Sequence, residues 1–288
     1  MAVVATGFFD GVHLGHRQVI RTLVSSAREK GEEAIVVTFL RHPRAVLQQD
    51  ARNLRLLNSP QEKERLLRAL GVDRVEVLPF DREFARLTAR DYLRTVLQER
   101  LGATLLVLGY DNRLGSDRLG PDAIRQVAET LGLETRVVGA YPVPGVGAGD
   151  FVSSTKIRAA LEDGAVEAAG AMLGYAYSLR GIVVAGKQLG RTLGYPTANL
   201  RLYDPMKLVP RRGVYLTEVE VLGGHYFGMT NVGDIIETHI FGFDQDIYGL
   251  DLEIRFRRWL REMRGFSSLD ALKDQLAADE TACRALLA

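Results

Sequence analysis

Two histidines stand three residues apart in the stretch "TGFFDGVHLGHRQVI", where a β-branched run hands over to residues with helical apolar spacing. Glycines around His13 and His16 let the backbone approach a ligand, and each imidazole offers an N–H donor. Ligands of parallel sheets bind beyond the strand ends, beside helix N-termini. The spacing therefore indicates a phosphate pocket. Histidines that merely cap the helix or face solvent remain the alternative.

A second polar cluster, "VSSTKIRAALEDG", predicts a helix that starts near Ser153. Ser154 and Thr155 place hydroxyls at its N-terminus, and Lys156 and Arg158 follow in the first turn. Cations are unfavourable there unless an anion is bound. The cluster thus suggests the second half of a polyphosphate clamp. The sequence contains no GxxxxGK[ST] loop, which excludes a P-loop mechanism.

A third run, "YSLRGIVVAGKQLGRTLGYPTANL", combines close-approach glycines with cations and neutral oxygen donors. Thr197 and Asn199 lie two apart on one side of an extended segment, where a hydroxyl and an amide oxygen are suitable ligands for Mg²⁺. A loop that binds no ligand is the alternative interpretation. The residues that would form a lid over the phosphates of a ligand are Gly186, Lys187, Gly190 and Arg191.

The predicted secondary structure that positions these clusters changes near residue 176, from alternating strands and helices to consecutive strands. Before it, the runs "AIVVTF", "RVEVLPF", "TLLVLG" and "TRVVGA" alternate with amphipathic helical segments, which predicts a parallel sheet covered by helices. One helix has Ser59 as cap, Pro60 at its first position, Glu62 placed for a capping box and Gly71 as its stop. We interpret this helix as scaffold.

After residue 176 the apolar residues alternate, as in Thr217, Val219 and Val221. Gly223-Gly224 suits a tight hairpin turn between two such runs. Antiparallel strands of this kind predict a small closed barrel, because closure removes exposed strand edges. An amphipathic helix over residues 269–287, capped by Ser267 or Ser268, is expected to follow.

The composition excludes several other classes of protein. The 288 residues are 47% hydrophobic and 25% charged with a net charge of +1, which gives no basic field for nucleic acid. Cys283 is the only cysteine, which fits a reducing compartment. The sequence has neither an apolar run long enough to span a membrane nor a secretion signal. We expect a cytoplasmic protein that binds neither membrane nor nucleic acid, and its oligomeric state stays open.

The N-terminal motifs together resemble those of a known family. "GFFDGVHLGH" and "SSTKIR" resemble the HxGH and SSTxxR signatures of nucleotidylyltransferases, and more narrowly the FMN adenylyltransferase module of bacterial bifunctional riboflavin kinase/FAD synthetases. "TFLRHP" and "LGYDNRLGSDRLG" are similar to further segments of that module. The resemblance places Asp111 and Arg113 near the flavin. Asn112 and Leu114 depart from it, because the family usually has phenylalanines there.

The C-terminal half resembles the riboflavin kinase signature G-x-x-x-G-R-x-L-G-[FY]-P-T-A-N. "IETHIFGF" is similar to the family strand whose glutamate is the catalytic base, which implies that role for Glu237. An exposed glutamate on an alternating strand is the alternative. The resemblance implies that Arg261 and Phe266 line the flavin. It departs at one point: only Asp234 to Ile236 separate Gly233 from Glu237, where relatives usually carry about ten more residues.

The resemblance implies a Rossmann-like nucleotidylyltransferase domain (residues 1–174) and then a small antiparallel β-barrel kinase domain with a C-terminal helix (residues 175–288). Riboflavin would be phosphorylated to FMN, and FMN adenylylated to FAD, with ATP and Mg²⁺ in both reactions. In the first domain the expected catalytic and ATP-binding residues are Gly7, Phe8, Asp10, His13, Gly15, His16, Ser154, Thr155 and Arg158. The alternatives are a chain with one activity and an inactive flavin-binding regulator.

Overall fold

A computed structural model describes residues 1–40, 54–145, 149–186 and 189–287. The chain divides into two compact units, Met1–Ser154 and Thr155–Ala288. The domain boundary expected between residues 174 and 175 stays a prediction. None of the helices in the described ranges has the length and apolar character that crossing a bilayer requires.

The first unit is built on a parallel sheet, as the alternating apolar runs predict. Its strand order is β3-β2-β1-β4-β5, which puts β1 at the centre, between β2 and β4. The strands are β1 (Ala2–Thr6), β2 (Glu33–Phe39), β3 (Arg74–Leu78), β4 (Ala103–Gly109) and β5 (Glu134–Val138). The chain order reverses between β1 and β4, so their carboxyl ends open the crevice where such sheets bind ligands.

Helices cover both faces of this sheet. They are α1 (Leu14–Lys30), α2 (Pro60–Ala69), α3 (Ala89–Asp91), which continues as a π-helix (Tyr92–Arg100), and α4 (Pro121–Thr130). α2 begins as predicted, because the Ser59 hydroxyl accepts from the Glu62 N–H and the Glu62 carboxylate accepts from the Ser59 N–H. Gly71 follows its end with φ of 92°.

The second unit is a closed antiparallel barrel preceded by α5 (Ser154–Glu162) and α6 (Val166–Leu173). Its strand order is β10-β7-β6-β11-β8-β9, and β9 pairs with β10 to close it. The strands are β6 (Ser178–Val184), β7 (Ala198–Leu202), β8 (Gly213–Val221), β9 (Gly224–Val232), β10 (Ile236–Ile240) and β11 (Asp251–Arg261). α7 (Leu189–Thr192) precedes β7, and α8 (Leu269–Ala285) ends the fold.

Threonines inside the barrel fix the pairing of three strands. The Thr230 hydroxyl is hydrogen bonded to Thr217 at 2.8 Å and to Thr238 at 2.9 Å, and all three are fully buried. A one-residue slip would move each threonine to the outer face and break this chain. Their sequence neighbours Asn231, which follows Thr230, and Glu237, which precedes Thr238, therefore have a fixed position on the outer face of the barrel.

Two local predictions for the barrel need correction. The β8–β9 turn consists of Leu222 and Gly223, with φ of 52° and 73°, and Gly224 already pairs with Val221. This turn has the positive φ angles that match the twist of a hairpin. α8 is capped by Ser268, as one alternative predicted, but it ends at Ala285, two residues before the expected end.

Candidate active sites

The turn after β1 is the centre of the first site, and its backbone is strained. Phe9 and Val12 have φ of 54° and 37°, a left-handed conformation that is rare for a β-branched residue. Strain of this kind persists only where surrounding contacts hold it, and it is concentrated at functional sites. The turn ends at His13, which caps α1.

His13 and His16 form a stacked pair at the start of α1. Their ring centroids lie 3.6 Å apart with an interplanar angle of 15°. A Cβ on Gly15 would come within 3.3 Å of the His13 ring, so the glycine gives that ring its space. His13 Nδ1 accepts from the His16 backbone N–H at 3.3 Å, which leaves the proton of a neutral His13 ring on Nε2. His13 therefore caps the helix through Nδ1, as the alternative interpretation proposed. Its Nε2–H can still donate to a ligand.

The second histidine stays uncharged. Burial lowers the pKa of His16 well below its usual value, and electrostatic interactions with His13 and with Lys63 lower it further. Within the described residues, the buried His16 Nδ1 has no hydrogen-bond partner. A neutral imidazole with a free buried nitrogen can bind a ligand atom without adding charge.

Other predicted residues of this site hold the turn in place. The Asp10 carboxylate accepts from the backbone N–H groups of Leu57 and Asn58 at 2.9 and 3.3 Å. The Ser154 hydroxyl donates to the Asp10 carbonyl at 2.9 Å. Gly7 donates its N–H to the Val37 carbonyl. The first unit brings together Gly7, Phe8, Asp10, His13, Gly15, His16 and Ser154, whereas Thr155 and Arg158 belong to α5 of the second unit.

Lys63 is a residue of this site that the sequence interpretation missed. It is almost fully buried, and its ammonium donates to the Phe8 carbonyl and to the Thr38 hydroxyl, at 3.0 Å each. The available signal was its position on α2: Lys63 lies four residues before the buried Leu67, on the apolar face of a helix interpreted as scaffold.

The two departures from the family pattern have a structural explanation. Asn112 joins the ends of the central strands, because its amide oxygen accepts from the Gly109 N–H and its amide nitrogen donates to the Thr6 carbonyl. Leu114 is buried in the core beneath the sheet. Asp111 and Arg113 are exposed in the same loop, so their predicted place beside a flavin stays a prediction.

The second site lies on the outer face of the barrel, where five strands present one residue each in register. Glu237 on β10 pairs with Asn199 on β7 and with Asn231 on β9. The row continues to Val214 on β8 and Arg261 on β11. Residues directly opposite on adjacent strands share a face with Cβ atoms about 5 Å apart. The carboxylate of Glu237 is therefore flanked by two amides.

Both flanking amides have a buried oxygen with no partner among the described residues: Asn199 Oδ1 and Asn231 Oδ1. Buried acceptors are normally satisfied, so these two atoms call for a cation or a hydrogen-bond donor. Together with the Thr197 hydroxyl, Asn199 offers the neutral oxygen ligands that suit Mg²⁺. The donor set predicted from the sequence fits the ion on this observation.

This row forms the floor of a cavity of about 410 Å³. Apolar and aromatic side chains form much of its wall, including Met263, Phe266, Leu272 and Leu276, and Asp234, His239, Arg264 and Asp279 also line it. The cavity brings together Gly190, Thr197, Asn199, Glu237, Arg261 and Phe266 from the predicted set. A cavity of this volume, with apolar walls and several polar and charged groups, suits a flat heteroaromatic ligand.

Arg261 lines the cavity, but Asp279 engages its guanidinium. Arg261 Nε and Nη2 donate to the Asp279 carboxylate at 2.9 and 2.6 Å, and Gln275 donates to the same carboxylate at 2.6 Å. Asp279 is almost fully buried. This ion pair fastens α8 to β11 and so keeps the helix in place as a cavity wall.

The predicted phosphate lid borders a second cavity of about 630 Å³. Gly186 lines it, and a Cβ there would come within 2.0 Å of the Asn199 amide nitrogen. Asn199 and residues 233–235 line both cavities. Arg191 is exposed on α7, and Lys187 lies outside the described residues.

The short connection before Glu237 forms a tight turn. Three residues join β9 to β10, and within them Gly233 donates its N–H to the Ile235 carbonyl at 3.1 Å. His239, two residues beyond Glu237, contacts Pro196 through Nδ1 at 2.8 Å. Because a carbonyl only accepts, Nδ1 donates, and β10 thereby holds the segment that carries Thr197.

These features define a class of two-part enzyme. Its first part is a parallel sheet of the kind that binds nucleotides, with a histidine turn where the strand order reverses. Its second part is a barrel with a carboxylate beside amide oxygens that can bind a metal ion. An FAD synthetase family model matches residues 1–156, and a riboflavin kinase family model matches residues 173–287. The chain belongs to the family of bifunctional riboflavin kinase/FMN adenylyltransferases and contains both of its domains.

Individual relatives are similar over almost their whole length. The bifunctional riboflavin kinase/FMN adenylyltransferase of Listeria monocytogenes is 34% identical, with 99% of this chain and 92% of that protein covered. The Escherichia coli K12 enzyme of the same name is also 34% identical, with 98% and 91% covered. A solved structure titled as a macrolide-efflux protein from Streptococcus pneumoniae superposes with a TM-score of 0.91 at 35% identity, covering 98% of this chain and 93% of that one.

Proposed function

We propose that the barrel transfers the γ-phosphoryl group of ATP to the 5′-hydroxyl of riboflavin, with Glu237 as the base. The observation that carries this proposal is the row in which Glu237 lies between two amides with buried, unpartnered oxygens. Phosphoryl transfer needs positioning and a carboxylate that accepts the hydroxyl proton, without a protein nucleophile. The flavin ring occupies the cavity walled by Phe266, Leu272 and Leu276.

Thr197 and Asn199 hold Mg²⁺ through their side-chain oxygens in this proposal. The ion supplies charge neutralisation to the phosphates of ATP when it is bound. The chain's own residues do the rest: the backbone at Gly186 and Gly190 borders the phosphates, and Arg191 adds positive charge. A measurement of riboflavin phosphorylation against Mg²⁺ concentration tests the assignment. Asn199→Ala should require more Mg²⁺, whereas Asn58→Ala, in the first unit, should leave the curve unchanged.

The first unit joins FMN to AMP at the turn after β1. An oxygen of the FMN phosphate attacks the α-phosphorus of ATP; the bond from that phosphorus to the β-phosphate oxygen breaks, and pyrophosphate leaves with the electron pair. Donors aimed at the phosphates stabilise the charge that develops. His13 Nε2–H and the neutral His16 are those donors, and Ser154, which contacts the turn through the Asp10 carbonyl, binds the departing pyrophosphate.

Incubation of the purified chain with riboflavin, ATP and Mg²⁺, with the flavins separated over time, tests both halves. FMN should appear before FAD. His16→Ala should abolish FAD formation and leave FMN formation intact, while His225→Ala, on β9 of the barrel, changes neither. FAD formation at the unaltered rate in His16→Ala would remove that histidine from the mechanism. ATP as co-substrate of both reactions supports the expectation of a cytoplasmic enzyme.

A further inference from the structure

A lysine ammonium is buried beneath the strained turn of the first unit. Lys63 reaches from α2 to the end of β1, where its Nζ lies 3.0 Å from the Phe8 carbonyl and 4.0 Å from the Phe8 ring centroid. The third contact is the Thr38 hydroxyl at the end of β2, at 3.0 Å. The ammonium therefore contacts the chain just beyond β1, which borders the ligand crevice, and the end of the neighbouring strand β2.

These contacts do not require a charge. The Thr38 hydroxyl itself lies 3.1 Å from the Phe8 carbonyl and can donate to it. An apolar side chain at position 63 would leave both groups hydrogen bonded to each other and would avoid burying an ammonium. A buried cation whose hydrogen-bond partners can bond each other without it points to a role in the chemistry beside it.

Two titratable side chains, Asp10 and His16, interact electrostatically with the Lys63 ammonium. Of the described groups that face Lys63, Asp10 comes from the turn and His16 from α1, while β2 presents the uncharged Thr38. Burial lowers the pKa of Lys63 to about 8, against the opposing effect of Asp10. Lys63 in turn lowers the pKa of His16. The ammonium and the second histidine of the pair are thus electrostatically coupled.

We propose that Lys63 is a positioning residue for adenylyl transfer, whose ammonium fixes the Phe8 carbonyl and supplies positive charge beneath the turn that presents His13 and His16 to the phosphates of ATP. The proposal rests on the adenylyl transfer proposed above. A protonated His16 would bind the triphosphate of the substrate more tightly, and it would also hold the pyrophosphate product in place. The charge of Lys63 lies beneath the turn, where it attracts phosphate without contacting it.

Substitution by glutamine separates charge from hydrogen bonding. Lys63→Gln keeps a donor of similar reach and removes the charge, Lys63→Met removes both, and Lys63→Arg keeps the charge. Lys30→Met is the matched control, because Lys30 lies at the far end of α1 in an ion pair with Glu134. Thermal unfolding followed by circular dichroism reports that the first unit of each variant is folded, and riboflavin phosphorylation reports that the barrel is intact.

Two measurements test the proposal: FMN adenylylation against pH, and titration of His16 by NMR of histidine-labelled protein. In Lys63→Gln and Lys63→Met we expect adenylylation to fall about tenfold or more and the pH midpoint of the His16 titration to move up. The wild-type rate should decline above about pH 8, as Lys63 loses its proton, while Lys63→Arg shows no such decline.

Unchanged adenylylation in Lys63→Gln, or an unchanged His16 midpoint, would overturn the proposal. If Lys63→Met fails to fold, the glutamine and arginine variants still decide the outcome. A wild-type chain that makes no FAD from added FMN would overturn the proposed function instead. In that case the His16 midpoint in Lys63→Gln continues to test the coupling on its own.

Discussion

Replacing Glu237 by glutamine should lower the rate of riboflavin phosphorylation while the stability of the fold is unchanged or slightly increased. The substitution preserves the size of the side chain and removes its capacity to accept a proton. Loss of a general base typically costs about 10²- to 10⁴-fold in rate, or about 3–5 kcal/mol of barrier. Riboflavin phosphorylation should fall by that factor.

Stability is expected to hold or to rise. The glutamine amide brings N–H donors to a position flanked by Asn199 and Asn231, whose buried oxygens lack partners among the described residues. One new hydrogen bond to either oxygen contributes about 1 kcal/mol. The variant should therefore unfold at the wild-type temperature or a few degrees above it.

The assay measures initial rates of FMN formation from riboflavin and of FAD formation from added FMN in the same preparation. FAD formation should match the wild type, because the first unit is unaltered. Glu218→Gln is the matched control: it removes a carboxylate that pairs with Arg257 on the barrel surface, and exposed pairs contribute little. A Glu237→Gln variant that phosphorylates riboflavin at more than about a tenth of the wild-type rate would contradict the role of Glu237 as base.

Four further outcomes are expected. Asp279→Asn breaks the buried pair with Arg261 and should lower the free energy of unfolding by about 3 kcal/mol or more in denaturant titrations and raise the KM for riboflavin, since α8 loses its attachment to β11. Leu222→Gly should raise the midpoint of thermal unfolding through a gain of about 1 kcal/mol, because leucine is strained at φ of 52°. Asn112→Ala removes the two hydrogen bonds that join β1 and β4 and should cost about 1–3 kcal/mol in denaturant titrations and slow FMN adenylylation. The folded state depresses the pKa of Lys63 from 10.5 to about 8, so the penalty of burying its charge is complete below pH 8 and is relieved as pH rises toward 10.5; stability should rise across that window by up to about 3 kcal/mol relative to Lys63→Met, measured by denaturant titration at each pH.

Features encoded in a few consecutive residues were predictable. The capping box of α2 at Ser59 and Glu62 formed as predicted, since both hydrogen bonds lie within one turn of chain. The five apolar runs of the first half became the five strands of the parallel sheet. The errors were also local: the hairpin turn uses Leu222 where the glycine pair suggested Gly224, because strand twist selects the turn residues.

Features that depend on distant residues were not predictable in the same way. Lys63 was interpreted as part of a scaffold helix, because helical periodicity reports which face is buried and not what lies beneath it. Asn231 was not predicted as a site residue, because no spacing along the chain relates it to Asn199 or Glu237. Arg261 was assigned to the flavin, yet its partner Asp279 lies on a helix 18 residues further on.

The sequence by itself determined the two unlike halves, their order, the histidine turn and the glutamate-bearing strand, because periodicity, caps and contiguous motifs are written in neighbouring residues. Only the tertiary structure decided that Asn199, Glu237 and Asn231 stand side by side, and that an ammonium lies under the histidine turn. Strand register and helix docking depend on the packing of the whole core, in which the buried threonines of the barrel and the apolar face of α2 admit a single arrangement.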